Sequence, residues 1–532
     1  MLPDIDKLSL AEQVAQMVVV RASGFLFDHQ IQYPVWEPPA ATLQHWVQDL
    51  GVGGVILLGA SAGELAIRTQ QLQNWAKIPL LIAADIEEGV GQRFAGATWF
   101  PPPMALSAIF RKDQKLALDY AEKMGAITAQ EALAIGINWV LAPVVDVNNN
   151  PDNPVINVRA FGETPDEVSH LACAFIRGAK THPVLTTAKH FPGHGDTAVD
   201  SHLDLPLIPH STDRLTEVEL PPFAAALASG VDTVMTAHLL IPCWDAELPA
   251  TLSHKLLTEQ LRQKLGFSGL ITTDALVMGA IANRYGASVA PVMAVEAGAD
   301  ILLMPVDPQE AINAVCTAVE SGRISRSRIR ESVERIWQAK TKFHQPVGLT
   351  AFIESTAQND ALNTTVEILQ HSQIIHGSAL SLDNLINTIK LNNKSAQTLR
   401  NLIVVDDLFL CDFLNKLAPA MALPAEMGYE TQIIDCHTQA IRNLEESHPT
   451  LLQVFIRGNP FRSSAEVTKA AEDLFKKLLT TDDLQAFVLY GSPYVWQQFI
   501  PLLKADIPGI FSYGQMPAAQ DCALRTLFGK NS

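Results

Sequence analysis

VLTTAKHFPGHGDTAVDSH, residues 184–202, starts as an apolar, β-branched run and ends in a cluster of ionisable side chains. A run of this kind reads as a strand buried on both faces, the pattern of a parallel sheet. Similar runs recur through the first ~345 residues: MVVV near 17, GGVILLG at 53, LLIAAD at 80 and NWVLAPVVDV at 138. VDTVMTAHLLI at 231, GLITTDAL at 269 and ADILLMP at 299 complete the set. Segments with helical periodicity separate most of them, such as DQKLALDYAEKMGAITAQEALAIG and LTEVELPPFAAALASG. Eight buried strands alternating with helices predict an α/β fold, a (β/α)8 TIM barrel over residues 1–345. A doubly wound sheet is the structural rival, but eight buried runs favour closure.

Several runs end in a polar residue: Asp85, Asp146, Lys189 with His190, His238 and Asp274. In a barrel these positions converge at the C-terminal mouth, where active sites of this fold lie. From Lys189 to His202 the chain then packs three histidines and two aspartates into fourteen residues. Three chemistries compete for that stretch. A zinc site could use His190, His194 and His202, but Pro192 and Gly193 forbid a regular helix between the first two. A phosphate loop normally carries its lysine after the glycines, whereas Lys189 precedes them. The third reading uses Asp200 and His202: in an extended segment they share a side, so the carboxylate orients the imidazole and favours its charged form. That would make His202 a proton donor and then an acceptor. A D-x-H triplet is also a common coincidence, and the residues alone leave the choice open. His194, Asp146 and Asn148–Asn150 read as loop-shaping residues, and His238 as support for the pocket wall.

Composition narrows the function classes. Hydrophobic residues make up 48% of the 532 and charged residues 18%, which suits large cores and excludes disorder. The net charge of −18 would repel a phosphate backbone or an anionic membrane surface, so no nucleic acid or membrane partner is expected. Six scattered cysteines without a CxxC pair fit a reducing compartment, and the opening MLPDIDKLSLAEQVAQMVVV reads as a first helix and strand, not as a signal peptide. A cytoplasmic protein without membrane insertion is the expectation.

Beyond Phe343 the alternation pauses and restarts: NLIVVDD at 401, TQIID at 431, LLQVFIRG at 451, QAFVLYGSP at 485 and IPGIFSYG at 507. We expect a linker and helical connection over 346–395, then a smaller three-layer α/β domain with a mainly parallel sheet over 396–532. It contains no GxGxxG after its first strand and no P-loop, so no nucleotide cofactor is expected.

KHFPGHGDTAVDSHLDLP resembles the signature of bacterial β-N-acetylglucosaminidases of glycoside hydrolase family 3. LSLAEQVAQM, DIEEGVGQRF, APVVDVNNNPDNPVINVRAFG and ITTDALVMGAI resemble further family motifs in the same order, over about residues 8–345. The stretch ending SYGQMPAAQDCALRTLFG resembles the second domain of longer members. The resemblance implies a retaining exo-glycosidase with Asp274 as nucleophile and His202, with Asp200, as the acid/base dyad. It implies that Asp85, Arg93, Arg159, Lys189 and His190 hold the terminal sugar, with no metal and no cofactor. The implied substrates are small carbohydrates, N-acetylglucosaminides and among them the muropeptide fragments of peptidoglycan recycling. Alternatives are a β-glucosidase of the same family, a β-N-acetylglucosaminide phosphorylase and a catalytically dead sugar-binding protein. One departure stands out: Glu88-Gly89-Val90 occupies the place of the family's usual Gly-Gly-Arg.

Overall fold

All eight apolar runs form strands in the computed structural model, which describes residues 2–31, 34, 36–197, 205–343, 359–378, 398–438, 447–457 and 464–529. They are β1 (Val18–Ala22), β2 (Gly54–Leu57), β3 (Leu81–Ala84), β4 (Trp139–Val140), β5 (Leu185–Phe191), β6 (Thr233–Thr236), β7 (Leu270–Thr272) and β8 (Leu302–Leu303). The sheet runs β8-β1-β2-β3-β4-β5-β6-β7 with every pair parallel. A parallel bridge between Thr272 and Ile301 joins its two ends and closes the barrel. Chain segments in contact divide into two units, Met1–Pro103 with Phe110–Leu362, and Met104–Ile109 with Asn363–Ser532.

Local signals explain where the helices begin. Ser9 and Glu12 form a capping box for Leu10–Gln16, and Ser61 and Glu64 one for Ala62–Trp75. Asp113 caps the long helix Gln114–Ala134, and Thr164 with Pro165 opens Pro165–Ala179. LTEVELPPFAAALASG, expected as one helical segment, is two helices, Thr212–Glu217 and Leu220–Ala228. The paired prolines at 221 and 222 lack N–H groups, so they end one helix and start the next. β4 is shorter than its apolar run for the same reason: Pro143 cannot donate to the ladder. Inside the barrel, Trp139 donates its indole N–H to Thr187 at 2.8 Å and Thr233 at 3.2 Å, tying β4, β5 and β6 through wholly buried side chains.

The second unit carries β9 (Ile374–His376), β10 (Leu399–Val404), β11 (Tyr429–Ile434), β12 (Thr450–Ile456), β13 (Leu484–Gly491) and β14 (Gly509–Ser512). The order is β9-β14-β13-β12-β10-β11, so the five expected parallel strands are present in a three-layer α/β domain. Part of the linker and helical connection expected over 346–395 lies within the described residues. Residues 359–378 supply a helix, Asn359–Ser372, and β9, which pairs antiparallel with β14. Three half-exposed residues at a sheet edge leave no run for the eye to find. Among the described residues no helix is long and apolar enough to cross a membrane.

The N-terminal end of the barrel buries charge. Asp300, wholly buried, meets Arg262, Arg328 and Arg335 and accepts from the Ser332 hydroxyl at 2.8 Å and the Ile271 N–H at 3.0 Å. Lys340 is different: 4% exposed, its ammonium reaches, among the described residues, the Gln16 side-chain oxygen at 2.8 Å and the Trp337 ring at 5.6 Å. Burial pushes it from 10.5 down to about 7. The unfolded chain therefore binds more protons between pH 7 and 10, and stability should rise across that window. Lys340→Met is expected to stabilise the protein at pH 6 by on the order of 3 kcal/mol, with the gain shrinking toward pH 10. Urea unfolding of both proteins at the two pH values checks this; an equal difference at both would contradict it.

Candidate active site

The polar residues that end the strands gather at the C-terminal mouth, because parallel strands all present that end to the same side. Asp85 follows β3, Lys189 and His190 lie near the end of β5, and Asp274 stands two residues beyond β7. Arg159 comes from a short turn, Asn157–Arg159, in the long connection after β4.

Three of these residues meet through one that the sequence reading passed over. Lys189, 1% exposed, places its ammonium 2.6 Å from Asp85 Oδ1 and 2.6 Å from Glu87 Oε1. Arg159 grips the same Glu87 with two bonds, Nε to Oε2 at 2.9 Å and a terminal nitrogen to Oε1 at 2.7 Å. Glu87 itself is 4% exposed. Burial alone would raise its carboxyl, but Arg159 and Lys189 outweigh burial and hold it well below its usual range. Burial likewise opposes the Lys189 charge, and Asp85 with Glu87 reverses the balance, so the ammonium is held more firmly than usual. Arg159 shows the same contest, with burial against it and Glu87 for it, and Glu87 prevails. The signal in the sequence was the spacing: Asp85 and Glu87 are two apart at a strand end, where alternate residues share a side.

Arg93 is exposed and donates to the Asp85 backbone oxygen at 3.3 Å, so it braces the loop bearing Asp85. Val90, in place of the expected arginine, is wholly buried. Gly89 before it has φ +84°, and a Cβ there would lie 2.6 Å from the Thr98 oxygen, so the turn requires glycine. Glu88 is buried and accepts the Trp99 indole N–H at 2.9 Å.

Asp146 does more than shape a turn. Wholly buried, it accepts the His190 ring at 2.7 Å and the backbone N–H groups of His190 at 3.1 Å and His194 at 2.7 Å. A carboxylate can only accept, so the ring nitrogen that faces Asp146, Nδ1, carries a hydrogen. His194 is the structural histidine expected: buried, with Nδ1 at 2.8 Å from the Thr197 hydroxyl. Burial and the neighbouring His190 push it down to about 4, against the opposing pull of Asp146 and Asp274. Asn153 is a second residue the sequence did not single out. It donates to the carbonyls of His194 at 2.8 Å and Gly195 at 2.9 Å, and accepts from Val155 and Ile156. Position 195 must be glycine for the chain to pass Val147, since a Cβ there would lie 1.7 Å from the Val147 oxygen.

Asp274 is half-buried, and its Oδ1 accepts the Ala275 N–H at 2.7 Å. His238 supports that wall as expected, bonding the Ala275 carbonyl at 3.0 Å and Thr251 at 2.7 Å. Asp200 and His202 lie outside the described residues. The chain enters their segment at Thr197, anchored as above, and leaves it at Leu205. His210 and Asp196, 2.8 Å apart, pin the two sides together at its base.

Buried cations neutralised by two carboxylates, beside a further strand-end carboxylate, make a mouth suited to a neutral polyhydroxylated ligand: fixed donors and acceptors with little net charge. Comparison with known proteins agrees with that chemistry. The description "Glycosyl hydrolase family 3 N terminal domain" matches residues 9–339, and "Bacterial Glycosyl hydrolase family 3 C-terminal domain" matches residues 392–529. Beta-hexosaminidase A of Pseudoalteromonas piscicida is 34% identical over 348 residues, 60% of this chain and 58% of that protein. A beta-N-acetylglucosaminidase/beta-glucosidase of Cellulomonas fimi is 31% identical over 58% of this chain and 56% of its own length, so the chain spans less than two thirds of either relative. Among solved structures, a glycoside hydrolase family 3 beta-N-acetylglucosaminidase from Paenibacillus sp. str. FPU-7 superposes with a TM-score of 0.78 at 29% identity, covering 99% of this chain and 97% of that one. With its first family model spanning well over half its length, the chain belongs to glycosyl hydrolase family 3.

Proposed function

We propose that the chain is a retaining exo-β-N-acetylhexosaminidase that removes terminal β-linked N-acetylglucosamine, with muropeptide fragments in the cytoplasm as its substrates. The observation that carries the reading is the Asp85–Lys189–Glu87–Arg159 cluster, built from strand ends on the same side of the barrel as Asp274 after β7. The names of the family relatives supply the sugar.

In this reading Lys189 and Arg159 donate to hydroxyls of the terminal sugar while Asp85 accepts, and His190 Nε2 bonds another hydroxyl. Glu87 touches no sugar; it keeps both cations charged and aimed. Asp274, with one oxygen fixed by the Ala275 N–H, attacks the anomeric carbon through the other. The glycosidic bond breaks as the leaving oxygen takes a proton from His202, whose imidazolium Asp200 favours. Water then attacks the glycosyl ester, His202 recovers a proton from it, and the Asp274 carboxylate is released with the configuration retained.

Selectivity for the acetamido group should appear as kcat/KM for 4-nitrophenyl β-N-acetylglucosaminide about tenfold or more above that for the β-glucoside, a difference of about 1.4 kcal/mol. A glucoside preference would place the chain with β-glucosidases, the second activity in the name of the Cellulomonas relative.

His202→Ala should slow poor leaving groups by about 10²–10⁴-fold and activated aryl glycosides much less, because only poor leaving groups need full protonation. Equal losses across a series of leaving groups would make His202 a positioning residue.

A further inference from the structure

The second domain carries a cluster that the glycosidase reading does not use. Two parallel neighbours, β10 and β11, end in VVDDLF and IIDCHT, and the loops that follow lie side by side. Asp407 comes from the first loop, Cys436 and His437 from the second, and one potential ligand atom of each lies within 4.8 Å of the others. His437 Nε2 is 3.2 Å from Asp407 Oδ2. A tetrahedral zinc ion with bonds of about 2.0–2.3 Å sets its ligand atoms about 3.3–3.8 Å apart, so small side-chain rotations bring all three into range.

The loops are fixed to one another before any ion arrives. The Cys436 N–H donates to the Asp406 carbonyl at 2.9 Å, and the Leu408 N–H to Asp435 Oδ2 at 3.3 Å. Asp435 Oδ1 also accepts the His437 N–H at 3.1 Å and the Thr438 hydroxyl at 2.6 Å. Asp407 Oδ1 caps the Phe409 N–H at 2.9 Å, which turns Oδ2 toward His437. The Phe409 ring, itself 83% exposed, packs edge-on against His437 with centroids 5.4 Å apart. Each candidate ligand is thus held by an interaction of its own, the support that metal sites use to aim their ligands.

We propose that Asp407, Cys436 and His437 form a binding site for a borderline-soft divalent cation of the zinc class, clipping together the loops after β10 and β11. The donor set decides the class. One sulfur, one nitrogen and one oxygen suit zinc or cobalt, whereas calcium and magnesium select oxygen ligands alone. Three protein ligands leave a fourth position for water. The charge agrees: Asp406, Asp407 and Asp435, from the same two loops, place carboxylates around the candidate ligands. An arriving dication offsets that charge, takes the thiolate and releases its proton.

The test uses the full chain with cobalt(II) and zinc(II) as probes. Cobalt should bind at one equivalent and give a near-ultraviolet thiolate-to-metal charge-transfer band, which zinc should bleach by displacement. Cys436→Ser should abolish the band, and Cys436→Ser and His437→Asn should each weaken zinc affinity by at least about tenfold, measured by competition with a chromophoric chelator. Asp407→Asn, which retains the cap on Phe409, should weaken it less. Cobalt binding by the wild-type chain without a thiolate band would overturn the proposal without recourse to any variant. So would zinc affinity unchanged in the Cys436→Ser, His437→Asn double variant.

Discussion

A carboxylate almost sealed from solvent, Glu87, is shared by two cations that reach it from different parts of the barrel. Lys189 arrives from β5, Arg159 from the connection after β4, and Glu87 itself from the loop after β3. Three charges leave water to make this cluster, a cost that only close and complete pairing offsets. Removing the carboxylate would leave Arg159 without its two-bond partner and Lys189 with Asp85 alone, and breaking a buried pair in this way typically costs about 3–5 kcal/mol. The cluster therefore fixes the three loops relative to one another, and it also holds Lys189 and Arg159 charged.

The second buried carboxylate at this end, Asp146, organises what lies beside it. By accepting two backbone N–H groups and the His190 ring it fixes both the course of the chain after β5 and the ring of His190. Asn153 extends that order to Gly195, the last stretch before the segment that carries Asp200 and His202. The opposite end of the barrel also buries charge, at Asp300 among three arginines, and there the pairing joins strand ends to helices. Loops for chemistry at one end and ion pairs for stability at the other is the division of labour expected of this architecture.

Much of this was legible in the sequence because it depended on local pattern. Strands such as LLIAAD and VLTTAKHF must be apolar on both faces, and Ser9 with Glu12 or Thr164 with Pro165 mark helix starts by chemistry that needs only adjacent residues. The strand-end positions of Asp85, Lys189, His190 and Asp274 followed from the same pattern. What escaped depended on contacts between distant segments. Glu87 looks like one acidic residue among several until β3, β4 and β5 are brought together, and Asp146 looks like a turn residue until the chain after β5 folds back over it. β9 escaped for the opposite reason: its three residues gain their meaning only from pairing with β14. Asp200 and His202 were read from motif resemblance, and the described residues show the anchors of their segment at Thr197 and Asp196.

The central claim is that Asp274 forms a covalent bond to the sugar. Incubation with a 5-fluoro N-acetylglucosaminyl fluoride, followed by proteolysis and mass spectrometry, tests it directly. The account predicts one sugar ester per chain on the peptide containing Asp274, absent from Asp274→Asn. A stable ester on Asp146, or on any other carboxylate, would contradict it.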